Sequence, residues 1–215
     1  MAKPRVAILV FPGTNCNIET KRAVELVGLE AEYVWHEEKN LNKFSSFIIP
    51  GGFSYGDYLR AGKLASLSPV VDSLIKFIQK GYPVLGICNG FQILCELGIL
   101  PGALIMNANT KFISRWVELK VENVDTPFTC AFKEGEKIKL PIAHKFGNYF
   151  PQKDKEPKVT FRYCENPNGS FDSIAGISSG NVVGLMPHPE RAVYKFLGSD
   201  DGLKIFLSLR TWLKS

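Results

Sequence analysis

Apolar and polar positions along this chain follow two periodicities in turn. Arg5–Val10 is a short continuous apolar run of the kind a buried strand makes. Residues 18–27 then carry apolar side chains at helical spacing, with Asn17 placed to cap the start and Gly28 to end it. The order recurs: 31–35 and 47–49 predict strands, 69–80 a helix stopped by Gly81, 83–87 another buried strand, and 91–97 a helix closed by Gly98. Farther on, 112–121, 137–142, 158–163 and 182–186 read as strands without helices between them. Leu203, Phe206, Leu207 and Leu209 lie near helical spacing within 201–213, a C-terminal helix that packs back on the sheet.

Strand and helix alternation in the first half predicts an α/β fold: three layers, with a mostly parallel central sheet flanked by helices. The second half adds an antiparallel extension. The length suits one domain over residues 1–215, and no repeat or low-complexity linker interrupts it. The polar, lysine-bearing segment 151–157 is the expected mobile loop.

Composition narrows the function classes. The net charge of +5 arises from basic residues scattered along the chain, without the block that follows a phosphate backbone, so nucleic acid is not the expected partner. The first apolar run falls far short of the ~20 residues that span a bilayer, and no small-residue cleavage site follows it. Five cysteines without a C-x-x-C pair predict reduced thiols in a cytoplasmic setting, and three histidines without ligand spacing predict no metal site.

Chemistry concentrates at Cys88, where a buried strand meets a helix with Gly86 and Gly90 on either side. Small residues there permit a strained turn that exposes the side chain, while the following backbone N–H faces a developing oxyanion. A helix N-terminus also favours thiolate over thiol. Lone cysteines are more often buried structural residues, and Cys95, Cys130 and Cys164 read as small core or surface residues; Cys16, in a Gly-Thr-Asn-Cys loop, is a lesser nucleophile candidate. For the base, His188 stands in Pro-His-Pro-Glu, where Glu190 is near enough to orient the imidazole. His144, which also ends a predicted strand, is the alternative, and His36 beside two glutamates reads as solvated. Paired glycines at Gly51 and Gly52 offer backbone donors for a second side of the oxyanion site.

Together, Gly86-Ile-Cys88-Asn-Gly90-Phe-Gln92, Pro50-Gly-Gly52 and His188-Pro-Glu190 resemble the triad-type (class I) glutamine amidotransferase domain. The runs 51–60, 165–170 and 180–191 narrow the resemblance to the glutaminase subunits of phosphoribosylformylglycinamidine synthase. The resemblance implies that Cys88 attacks the glutamine amide, His188 moves the protons and Glu190 holds His188. It also implies that the Gly52 and Asn89 N–H groups bind the oxyanion and that Gln92 helps hold the substrate. Ammonia would pass to a larger ATP-dependent synthetase subunit, usually with a small third protein. This chain would carry no cofactor; ATP and Mg²⁺ would sit on the partner.

Two segments depart from the family pattern. His144-Lys145-Phe146-Gly147 lacks the expected acidic residue, and Gly13-Thr14-Asn15-Cys16-Asn17 has Thr and Asn where Ser and Asp are expected. Beside the partner-dependent glutaminase stand two alternatives: a stand-alone cysteine hydrolase of the same fold, and a degenerate subunit that only scaffolds a synthetase.

Overall fold

A computed structural model of the chain describes residues 3–214. In chain order its strands and α-helices are β1 (Arg5–Val10), α1 (Asn17–Leu26), β2 (Glu30–Trp35), β3 (Ser46–Ile49), α2 (Pro69–Gln79), β4 (Val84–Ile87), α3 (Asn89–Glu96), β5 (Ala103–Ile105), β6 (Ile113–Val121), β7 (Lys137–His144), β8 (Asn148–Phe150), β9 (Lys158–Tyr163), β10 (Ile174–Ser179), β11 (Val182–Leu185) and α4 (Leu203–Trp212).

Nine strands form one sheet in the order β2-β1-β3-β4-β11-β10-β9-β6-β7, flanked by helices. From β2 to β11 every neighbouring pair is parallel; from β11 to β7 every pair is antiparallel. Burial explains the division. β3, β4 and β11 are buried at every position, as strands covered on both faces must be, whereas β6 and β7 alternate buried with exposed residues and leave one face to solvent. Phe47, Phe91, Phe161 and Phe206 are fully buried in the core, each contributing about 1.5–3 kcal/mol by the usual transfer estimate.

Three strands escape the sequence pattern. β5 and β8 are three-residue strands that pair only with each other. β10 is a full member of the sheet, but Gly176, Ser178 and Ser179 dilute its apolar signal. Gly176 is required there, because a Cβ would stand 2.8 Å from the Gly184 carbonyl oxygen on β11.

Boundaries shift for local reasons. Cys16, not Asn17, holds the N-cap position of α1, with no side-chain cap; Thr20 Oγ1 instead bonds back to the Cys16 carbonyl at 2.7 Å. α4 begins after Asp201, whose carboxylate accepts the Lys139 N–H on β7 at 2.7 Å and so ties the helix entry to the sheet. Segment 151–157 has no regular structure and is largely exposed.

Parallel neighbours bring their carboxyl ends to one edge, where open α/β sheets form their binding crevices. The loops leaving β1, β3, β4 and β11 carry Cys16, Gly52, Cys88 and His188 respectively.

Candidate active site

Cys88 joins β4 to α3 with φ 51° and ψ −103°, a conformation disfavoured for any L-residue by about 1–3 kcal/mol. The surroundings hold it there: its N–H donates to the Leu185 carbonyl at 2.8 Å and its carbonyl accepts the Gln92 N–H at 3.1 Å. Gly90 is the steric condition for the turn. A Cβ at that position would stand 2.1 Å from the Ile49 carbonyl oxygen, so α3 approaches β3 only because residue 90 has no side chain.

His188 follows β11, and its N–H donates to the Pro141 carbonyl at 2.8 Å. Its Nδ1 lies 2.6 Å from Glu190 Oε1, with both side chains buried. A carboxylate accepts the Nδ1 proton, which leaves the lone pair on Nε2. Nε2 is buried without a partner among the described residues, and it belongs to the ring that closes one wall of a cleft of about 270 Å³ shared with Cys88, Gly52, Phe53 and Ala143. Cys88 and His188 are not hydrogen-bonded in this conformation; Cys88 Sγ lies 3.9 Å from the Ala143 carbonyl oxygen.

Cys88 also borders a second cleft of about 320 Å³, lined by Gly52, Asp57, Gln92, His144, Lys145 and Phe146 among others. The Asn89 N–H favours the Cys88 thiolate, and Gly52, whose N–H has no acceptor among the described residues, lines both clefts. The Asn89 side chain fixes both sides of the site: Oδ1 accepts the Ser54 N–H at 3.2 Å, and Nδ2 donates to Gln92 Oε1 at 2.8 Å. Gln92 Nε2 donates in turn to the Phe146 carbonyl at 2.7 Å, so this amide braces the cleft wall.

Burial pushes the Cys88 thiol well up, with nearby Cys16 and Glu190 adding to the effect; Arg191 and the Asn89 N–H pull the other way. Desolvation is thus the largest influence on this thiol. A thiol in this setting needs a base in contact when it reacts.

The two candidate bases differ in their support. Asn107 Nδ2 donates to the His144 and Lys111 carbonyls, so its Oδ1 must accept, and His144 Nδ1, 3.1 Å away, carries the proton. No carboxylate among the described residues backs this ring, and burial lowers its pKa to about 4. His144 is thus a poor proton acceptor near neutrality, whereas the His188 ring has a carboxylate, Glu190, hydrogen-bonded to its Nδ1. The Lys145-Phe146 departure is accommodated through main-chain atoms: the Lys145 carbonyl accepts the Asn107 N–H at 2.8 Å, and the Phe146 carbonyl serves Gln92.

Cys16 lies behind the imidazole, 4.0 Å from His188 Nδ1, and accepts a 3.0 Å hydrogen bond from Arg191. Its thiol is pushed up to about 12, chiefly by burial. It has no elbow, since its φ is −99°. His36 is half-buried and hydrogen-bonded to Tyr55 at 3.1 Å, not solvated as its sequence neighbours suggest. The Asn107 brace and the Arg191–Cys16 contact left no readable trace in the sequence, because each joins segments distant in the chain.

The family of CobB/CobQ-like glutamine amidotransferase domains matches residues 3–213. Phosphoribosylformylglycinamidine synthase subunit PurQ of Methanopyrus kandleri is 48% identical, over 98% of this chain and 99% of the relative. The subunit of the same name from Pyrococcus horikoshii is also 48% identical, with the same coverage. Among solved structures, a chain of PurLQS from Thermotoga maritima superposes with a TM-score of 0.94 at 49% identity, covering 99% of this chain and 100% of that one. Matches of this extent place the chain in the CobB/CobQ-like glutamine amidotransferase family, among the PurQ subunits.

Proposed function

We propose that this chain is the glutaminase subunit of a phosphoribosylformylglycinamidine synthase, releasing ammonia from glutamine for a synthetase partner. The observation that carries the reading is the His188–Glu190 pair, buried and bonded at 2.6 Å, on the same cleft as Cys88 in its elbow.

His188 Nε2 takes the Cys88 proton and the thiolate attacks the side-chain carbonyl carbon of glutamine. The oxyanion draws on the Gly52 and Asn89 N–H groups. Protonated His188 gives its proton to the leaving nitrogen, ammonia departs, and a glutamyl thioester remains on Cys88. His188 then removes a proton from water, which attacks the thioester, and Cys88 leaves as the thiol. Gln92 braces the substrate wall through Phe146 and Asn89.

The partner is a larger ATP-dependent subunit that would hold ATP and Mg²⁺, with a small third subunit completing the complex. Five free cysteines suit a reducing cytoplasmic setting, and no helix among the described residues is long and apolar enough to cross a membrane. The unmade Cys88–His188 bond supports activation by docking, since catalytic hydrogen bonds often tighten only in the competent complex.

Glutamine-dependent ammonia release by wild type and Cys88→Ala, each with and without the synthetase, tests the reading. Turnover that rises with the partner and disappears in Cys88→Ala is expected. Vigorous partner-independent turnover would indicate a stand-alone hydrolase, and no turnover in either state a scaffold.

A further inference from the structure

Behind the imidazole of His188, on the side away from its free Nε2, three potential metal ligands converge from segments 172 residues apart. Cys16 Sγ, a ring nitrogen of His188 and a carboxylate oxygen of Glu190 all lie within 4.8 Å of one another, and all three residues are buried. One sulfur, one imidazole nitrogen and one carboxylate oxygen suit a borderline-soft divalent cation. Sequence spacing predicts no such site, because Cys16 reaches the histidine only through the parallel pairing of the strands.

We propose that Cys16, His188 and Glu190 form a binding site for a zinc-class divalent cation, and that occupancy switches off glutamine hydrolysis. The switching part rests on the function proposed above; the binding part does not.

Geometry supports the site. Ligand bonds of about 2.0–2.3 Å in a tetrahedron put donor atoms roughly 3.3–3.8 Å apart. Cys16 Sγ and His188 Nδ1 are 4.0 Å apart, and the 2.6 Å His188–Glu190 contact opens modestly to admit a cation between them. Glu190 Oε2 is buried with no hydrogen-bond partner among the described residues, so the carboxylate has unused capacity. Arg191 occupies this side of the cluster, donating to Cys16 Sγ at 3.0 Å with its Nε 3.9 Å from Glu190 Oε1, so a metal ion must displace it. The Arg191 side chain is 38% exposed and has room to swing out as a cation enters. Entry is open, because Cys16, His188 and Arg191 line the cleft that also contains Cys88.

Binding expels the Cys16 thiol proton and the His188 Nδ1 proton to solvent, so affinity rises with pH. Once Nδ1 and Glu190 ligate the cation, no carboxylate remains to stabilise the imidazolium. His188 Nε2 then accepts the Cys88 proton poorly and ammonia release stops.

Cobalt(II) titration of the metal-free full chain, followed by sulfur-to-cobalt charge-transfer absorption, reads the site without turnover. The expected band forms in wild type and in Cys88→Ser, is displaced by zinc, and is lost in Cys16→Ser. Glu190→Gln keeps the band but weakens binding at least about tenfold, which provides a second test should Cys16→Ser fail to fold. In parallel, zinc inhibits ammonia release by the wild-type complex, and Cys16→Ser is at least about tenfold more resistant. Absence of a band, or a band that depends on Cys88 or survives loss of Cys16, would overturn the site. An inactive wild-type complex would count against the proposed function, leaving the absorption result to decide the site.

Discussion

His188 Nδ1 and Glu190 Oε1 are 2.6 Å apart although only Pro189 separates the two residues in sequence. A short 3-10 turn over Pro189–Arg191 folds the carboxylate back under the ring. Its consequence is a defined tautomer, with Nε2 left as the acceptor. Glu190→Gln removes the charge that stabilises the imidazolium while keeping the size of the side chain. A fall in kcat of about 100- to 10,000-fold, with a much smaller change in KM, is expected in steady-state ammonia release. A KM effect without a kcat effect would assign Glu190 to substrate binding.

Gly52 has φ 151°, and a Cβ there would stand 2.8 Å from Thr14 Cα. Gly52→Ala therefore displaces the backbone donor without touching Cys88 or His188. Loss of roughly 100-fold in kcat is expected, the usual cost of one oxyanion donor. Unchanged kcat in the folded variant would remove Gly52 from the oxyanion site.

At Gly90 the 2.1 Å clash with the Ile49 carbonyl oxygen leaves a methyl group nowhere to go, since the obstacle is main chain of the central sheet. Gly90→Ala is expected to cost about 1–3 kcal/mol or more in denaturant unfolding. It also shifts the elbow, so activity falls with stability.

His144 gives a pH dependence with a definite sign. Its folded-state pKa is lowered from 6.5 to about 4, so the unfolded chain binds more protons across that window. Stability contributed by burying the neutral ring is present above pH 6.5 and is lost as pH falls towards 4, by about 3 kcal/mol in all. Denaturation midpoints measured over this window are expected to fall less steeply in His144→Asn than in wild type.

Much of this arrangement was legible in the sequence, for physical reasons that differ by element. Fully buried parallel strands such as β4 and β11 leave continuous apolar runs, and Gly86-Ile-Cys-Asn-Gly90 marks an elbow because the tight turn excludes side chains at both glycines. β10 was hidden because close approach to β11 demanded Gly176 in place of an apolar residue. The His144–Asn107 and Cys16–Arg191 contacts arise only once distant strands pair, and no local periodicity reports them. The same limit applied to Cys88: a helix N-terminus is readable in sequence, but the burial that raises this thiol's pKa is a property of the fold.

Cys88 is the proposed nucleophile, and the most direct test is to acid-quench the chain with its synthetase during turnover of glutamine and map the adduct by peptide mass spectrometry. A glutamyl thioester on the peptide containing Cys88, absent in Cys88→Ala and retained in Cys16→Ser, is the predicted result. An adduct on Cys16, or turnover that persists in Cys88→Ala, would contradict it.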